Sequence, residues 1–193
     1  PMVWTVTIIG EVPKGTAVMR SGAKVGDVVG VTNYVGYAAT GLGALSYNLV
    51  GYDMTKVGHQ RPEPQIELGQ KLRQLGIHSM NDISDGLGSE LNEIATASNV
   101  SIVFEEQAIP LHEETYELAK HLQTNPVDYA LYGGEDFQLV FTAPKSLLSE
   151  LEKLAGITLI GEVLSGPPRV QMVTSDKTIK TVEAKGYNHF HEG

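Results

Sequence analysis

Short β-rich runs alternate with amphipathic helical stripes along the whole chain, separated only by brief glycine turns. That alternation restricts the fold more than any single motif does. Each strand-like run needs a sheet, and each striped helix needs a sheet face on which to lay its apolar side. The first run, Trp4 to Ile9, reads as a strand ending at Gly10 with no start signal before it, so a segment upstream of residue 1 is expected. Val28, Val29, Val31 and Thr32 form a second strand after the Gly26-Asp27 turn. Residues 41–50 read as helix. So do residues 63–75, where Pro64 suits a first turn, Ile66, Leu68, Leu72 and Leu75 make an apolar stripe, and Gly76 stops it.

The second half repeats the pattern. A strand over 79–83 leads through a turn into a helix carrying Leu87, Leu91, Ile94 and Ala95. Residues 101–104 read as a strand and 111–122 as an amphipathic helix. A strand over 137–141 follows the Gly133-Gly134 turn, then a helix over 145–154 and a strand over 158–163. Residues 171–174 and 178–182 suit a closing hairpin. Thr7-Ile8-Ile9-Gly10-Glu11-Val12 echoes Thr158-Leu159-Ile160-Gly161-Glu162-Val163. Two strands with similar turns explain the echo, and so do two equivalent edges of one sheet. With no linker anywhere, the expectation is one α+β domain, a mixed sheet flanked by helices.

Composition narrows the function. The net charge of −9 argues against nucleic acid as a partner, because phosphate backbones require clustered Lys and Arg. No apolar run approaches the roughly 18 residues that span a bilayer, so no membrane partner is expected and a cytoplasmic location is. The absence of cysteine removes disulfides, thiolate metal sites and cysteine nucleophiles. There is no Gly-x-x-x-x-Gly-Lys-Ser/Thr loop, no protein-kinase signature and no Gly-x-Ser-x-Gly elbow. The histidines lack metal-ligand spacing, and His189 and His191 suit a surface tail.

Three segments remain that can carry chemistry. In Asn81-Asp82-Ile83-Ser84-Asp85-Gly86-Leu87 two carboxylates flank a hydroxyl at a strand-to-helix turn. That arrangement suits Mg²⁺, which takes one or two carboxylates plus phosphate oxygens and water. Capping of the following helix accounts for the same acids. Tyr132-Gly133-Gly134-Glu135-Asp136-Phe137 sets a second acidic pair at the entrance of a strand, where ordinary turn chemistry is the alternative. Arg20 and Lys24 bracket a glycine-rich turn that suits a nucleotide phosphate, or simply solvent.

Taken together, these segments resemble the thiamine monophosphate kinases of the aminoimidazole ribonucleotide synthetase-like superfamily. The resemblance rests on Ile9-Gly10-Glu11-Val12, Arg20-Ser21-Gly22-Ala23, Gly26-Asp27, Arg61-Pro62-Glu63-Pro64, Asp82 to Leu87, Gly133 to Phe137, and Gly186-Tyr187-Asn188-His189-Phe190. It implies an aminoimidazole ribonucleotide synthetase-like carboxy-terminal domain over residues 1–193, with the family's amino-terminal domain absent. It also implies ATP-dependent phosphorylation of thiamine monophosphate to thiamine diphosphate by a full-length homodimer, and a fragment that is inactive alone. By the same resemblance Asp82 and Asp85 hold Mg²⁺, Ser84 and Arg20 contact ATP, and Glu135 and Tyr187 line the thiamine-phosphate pocket. Asn33 departs from the glycine expected after Val31-Thr32. A sibling ATP-dependent enzyme of the superfamily and a non-catalytic ligand-binding module are the competing expectations; the intact Asp82, Asp85 and Glu135 argue against the module.

Overall fold

The computed structural model describes residue 3 and residues 5–185. Its seven strands are β1 (Val28–Thr32), β2 (Ser79–Asp82), β3 (Ser101–Glu105), β4 (Leu139–Ala143), β5 (Ile157–Leu164), β6 (Arg169–Val173) and β7 (Ile179–Thr181). They form one sheet in the order β2-β4-β1-β5-β3-β6-β7. Only the β3–β6 pair is parallel, so the sheet is mixed.

β1 is buried along its whole length because its alternating side chains feed two separate cores. Val29 and Val31 enter one core with Ile83, Val140 and Ile160. Val28 points into the other, with Leu72, Phe141 and Leu151. Gly30 between them is a packing requirement: a Cβ there would lie 2.5 Å from the Phe141 ring.

The helices are α1 (Tyr37–Ser46), α2 (Asp53–Gln60), α3 (Ile66–Leu75), α4 (Leu87–Ser98), α5 (Glu113–Leu122), α6 (Pro126–Tyr132) and α7 (Leu148–Leu151). α3 and α7 supply Leu72 and Leu151 to one face. α4 and α6 supply Leu87, Leu91, Ile94, Val127, Ala130 and Leu131 to the other. Leu87, Leu91 and Ile94 are fully buried, each stabilising the fold by about 1.5–3 kcal/mol in apolar transfer. α3 ends as its sequence requires, with Gly76 in the left-handed region at φ 83°. α1, α2, α5 and α6 pack on one another beside this core.

The α+β expectation and most element positions agree with the structure. The opening strand does not. Residues 5–9 are irregular, and Ile8 and Ile9 are 88% and 92% exposed. Strand-forming side chains do not make a strand without a neighbour to complete the ladder, and no described strand pairs with these residues. Trp4 lies outside the described residues. The echo between residues 7–12 and 158–163 therefore does not mark equivalent sheet edges, because the second copy is β5, held between β1 and β3. The helix expected over 145–154 is a 3₁₀ turn at Lys145–Leu147 followed by the single turn of α7. The hairpin at the end is present as β6 and β7.

Register fixes where the chemistry sits. Asp82, the last residue of β2, lies opposite Leu139, the first of β4. The turn leaving β2 and the turn entering β4 therefore emerge side by side at one end of the sheet.

Candidate functional site

The two acidic turns are hydrogen-bonded to each other through their backbones. The Glu135 N–H donates to the Ser84 carbonyl at 2.8 Å, the Phe137 N–H to Ile83 O at 3.0 Å, and the Ile83 N–H to Gln138 O at 2.7 Å. The approach is close enough that a Cβ on Gly134 would sit 2.3 Å from the Ser84 carbonyl oxygen. Glu135 and Phe137 both take positive φ, 69° and 50°, a conformation that costs most side chains about 1–2 kcal/mol. Such strain persists only where the surroundings enforce it.

Asp136, between these two residues, is what enforces it. Its carboxylate is buried and accepts the N–H of Gly36 at 2.5 Å and of Ala38 at 2.8 Å. These are free donors at the start of α1, which has no cap of its own. Burial pushes the Asp136 carboxyl up to about 6, against the backbone N–H groups of Ala38, Gly36 and Tyr37, which pull it down. The two adjacent acids thus diverge: Asp136 is a buried cap, while Glu135 is exposed at the surface.

Behind the first turn lies an acid that sequence reading missed. Glu90 on α4 is buried and accepts hydrogen bonds from the Asp85 N–H at 3.3 Å, the Ser84 hydroxyl at 3.4 Å and the Asn81 amide. Its carboxyl is pushed up to about 7, first by burial and further by the charges of Glu93, Asp82 and Asp85, while the Asp85 N–H pulls the other way. The signal was present: Glu90 occupies the same helix face as Leu87, Leu91 and Ile94, where a charge is out of place. Arg20 offsets part of this negative field. Its Nε lies 3.0 Å from Asn81 Oδ1 and 3.1 Å from Glu93 Oε2.

Asp82 and Asp85 themselves are exposed. No three acid or imidazole groups among the described residues converge into a complete metal cage. The donor set suits a hard cation that completes its shell with phosphate and water, and the neighbouring carboxylates Asp82, Asp85 and Glu93 give this turn a negative local charge.

A cavity of about 710 Å³ opens beside the paired turns. One wall is α1, through Ala38, Ala39 and Leu42; the facing wall is α6, through Asp128, Tyr129 and Tyr132. His59 of α2 and Ser84, Asp85, Gly134 and Glu135 of the paired turns also line it. Of the residues singled out in the sequence, Ser84, Asp85 and Glu135 therefore meet here. Asp82 and Arg20 are not among the lining residues, and Tyr187 lies outside the described residues. Asn33, where the resemblance leads one to expect glycine, is accommodated in its turn. It takes φ 45°, which Asn tolerates, and its amide donates to Gln138 Oε1 at 3.0 Å.

Residues 24–173 match the family model described as AIR synthase related protein, C-terminal domain. Thiamine-monophosphate kinase of Bacillus subtilis is 39% identical over 200 residues, covering 98% of this chain and 60% of that protein. The Escherichia coli K12 protein of the same name is 34% identical over 201 residues, with the same two coverages. The chain thus spans about 60% of the length of these curated relatives. Among solved structures, thiamine-monophosphate kinase from Stenotrophomonas maltophilia K279a superposes with a TM-score of 0.77 at 29% identity, over 90% of this chain and 55% of that one. The complex described as AaThiL with AMPPCP and TMP gives 0.75 at 34% identity, over 90% and 54%. The E. coli hydrogenase maturation protein HypE shares the fold, with a TM-score of 0.75 at 18% identity.

Proposed function

The chain belongs to the AIR synthase related family through that family's carboxy-terminal domain, and from this we propose that it is the carboxy-terminal part of a thiamine-monophosphate kinase. The reading is carried by the similarity to kinases of that name along 98% of the chain, together with the meeting of Ser84, Asp85 and Glu135 at one cavity. The reaction transfers the γ-phosphoryl group of ATP to a phosphate oxygen of thiamine monophosphate. One P–O bond forms at the acceptor, one breaks at the β-phosphate, and ADP leaves. The attacking oxygen is already ionised, so the protein needs no nucleophile or general base; its work is positioning and charge neutralisation.

In this reading Asp82 and Asp85 hold Mg²⁺, which would neutralise charge on the transferring phosphates. The Ser84 hydroxyl and Arg20 orient ATP phosphates. Glu90, by accepting the Asp85 N–H and the Ser84 hydroxyl, fixes the turn that carries them. Glu135 and Tyr187 hold the acceptor. The amino-terminal domain of the relatives supplies the rest of the nucleotide site, so the 193-residue chain alone is folded and nearly inactive.

Glu135→Gln in the gene's complete product is the test. A KM for thiamine monophosphate raised about tenfold or more, with the KM for ATP unchanged, is expected from loss of a charged contact. Equal effects on both substrates, or none, would remove Glu135 from the acceptor site.

A further inference from the structure

Between Arg20 and the first acidic turn stands a buried amide with no part in the phosphoryl transfer itself. We infer that Asn81 is a positioning residue: it aims Arg20 at the nucleotide and couples it to the Ser84–Asp85 turn, a role that rests on the reading of the preceding subsection.

Asn81 lies inside β2, one position before Asp82, and only 7% of its surface is exposed. A buried amide has to find partners for both of its ends, and here one orientation satisfies them. Oδ1 accepts from Arg20 Nε at 3.0 Å. Nδ2 donates to Glu90 Oε2 and to Glu93 Oε2, the latter at 3.2 Å. Glu90 and Glu93, three residues apart on α4, share the face that meets it. Turned over, the amide would set its oxygen against two carboxylates and its N–H groups against a guanidinium, which has no acceptor. A neutral group with an acceptor at one end and two donors at the other thus joins a cation to two acids.

The Arg20 end is built to be aimed. Ser98, at the end of α4, donates to the Arg20 carbonyl at 2.9 Å and accepts the Ala23 N–H at 3.1 Å, which fixes the backbone. The ion pair between Arg20 and Glu93 is exposed, and such a pair constrains a long side chain little. The buried amide is the firmer hold. Both contacts of the guanidinium are made by Nε. Among the described residues the two terminal nitrogens are therefore left to a ligand, and their parallel N–H groups are the ones that grip a phosphate bidentately.

The other end reaches the turn. Glu90 divides its carboxylate, with Oε2 on the Asn81 amide and Oε1 on the Ser84 hydroxyl at 3.4 Å and the Asp85 N–H at 3.3 Å. One side chain thus sets both the arginine and the turn that face the phosphates.

The test uses the gene's complete product with a non-hydrolysable ATP analogue and Mg²⁺, titrated by calorimetry. Asn81→Leu, close in size but apolar, is expected to weaken analogue binding about tenfold, within the range of one charged hydrogen bond. In an Arg20→Ala background the same substitution is expected to weaken it no more than about threefold, because the arginine it aims is gone. Asn81→Asp keeps the acceptor for Arg20 and is expected to stay within about threefold of wild type. Should Asn81→Leu fail to fold, Asn81→Ser, whose hydroxyl is too short to reach Arg20, takes its place in the cycle with the same expectations. A merely structural role would lower the urea midpoint and weaken binding equally with and without Arg20. That result overturns the inference, as does unchanged analogue binding, or an Asn81→Asp loss as large as that of Asn81→Leu. Analogue binding needs no acceptor, so the two readings part. The expected cycle with no thiamine diphosphate formed would support the role of Asn81 and overturn the proposed reaction. Thiamine diphosphate formed by a protein whose cycle shows no coupling would do the reverse.

Discussion

Replacing Asp136 with Ala separates the structural acid of the second turn from its neighbour. The substitution removes the acceptor for the Gly36 and Ala38 N–H groups, which lie at buried positions at the start of α1. Loss of a cap costs about 0.5–2 kcal/mol and each buried donor left unpaired about 1–3, so a loss of roughly 2–4 kcal/mol is expected at low pH. The cost depends on pH. The carboxyl ordinarily titrates at 3.8 and is pushed to about 6 in the folded chain. Between these values the folded chain keeps a proton that the unfolded chain releases, so this residue's contribution falls as pH rises. From pH 4.5 to 7.5 the fall amounts to about 2 kcal/mol. Urea unfolding of both proteins at those two pH values measures it. The gap between wild type and Asp136→Ala should be widest at pH 4.5 and narrow towards pH 7.5. A gap that widens with pH, or no gap at either pH, would refute the assignment of Asp136 as a buried cap with a raised pKa.

Glu135→Ala should behave oppositely, changing stability by less than about 0.5 kcal/mol because its side chain is exposed, while weakening thiamine monophosphate binding in calorimetry. Asp85→Asn in the complete gene product should leave the urea midpoint nearly unchanged but lower turnover by orders of magnitude, with partial recovery at high Mg²⁺; wild-type turnover at ordinary Mg²⁺ would remove Asp85 from the metal site. Arg20→Ala should cost less than about 1 kcal/mol, because its pairing with Glu93 is exposed, and should raise the KM for ATP selectively. Gly134→Ala should destabilise by at least about 2 kcal/mol, since its Cβ has no room beside the Ser84 carbonyl; a neutral effect in thermal unfolding would show that the two turns are not locked together.

The elements that could be read from the sequence were those whose pattern carries its own cause. α3 has its stripe and its Gly76 stop, and α4 has Leu87, Leu91 and Ile94 on one side. β1 is a β-branched run set off by a turn. α2 gave no stripe because its one buried residue is Thr55; the helix is held by Glu114, which accepts the Thr55 N–H at 2.8 Å and the Thr55 hydroxyl at 2.7 Å. α6 is only about two turns long, and its legible mark is Asn125-Pro126. α1 starts earlier than expected because its cap, Asp136, comes from 98 residues away, and such a partner leaves no local trace. The same holds at the site. Ser84, Asp85 and Glu135 stand in recognisable motifs, but their joining depends on the β2–β4 register. Tyr132 of the α6 wall opens the second acidic segment, but Asp128 and Tyr129 stand in no motif and reach the cavity only because α1 is placed beside them.

On the proposed function, this chain belongs to an enzyme that moves a phosphoryl group from ATP onto thiamine monophosphate. Phosphorus NMR of the gene's complete product with ATP, Mg²⁺ and thiamine monophosphate tests it in a single sample. The expected result is ADP and thiamine diphosphate appearing in equal amounts as ATP and thiamine monophosphate decline together. Thiamine monophosphate that stays unchanged, whether ATP persists or is split to ADP and inorganic phosphate, would contradict it.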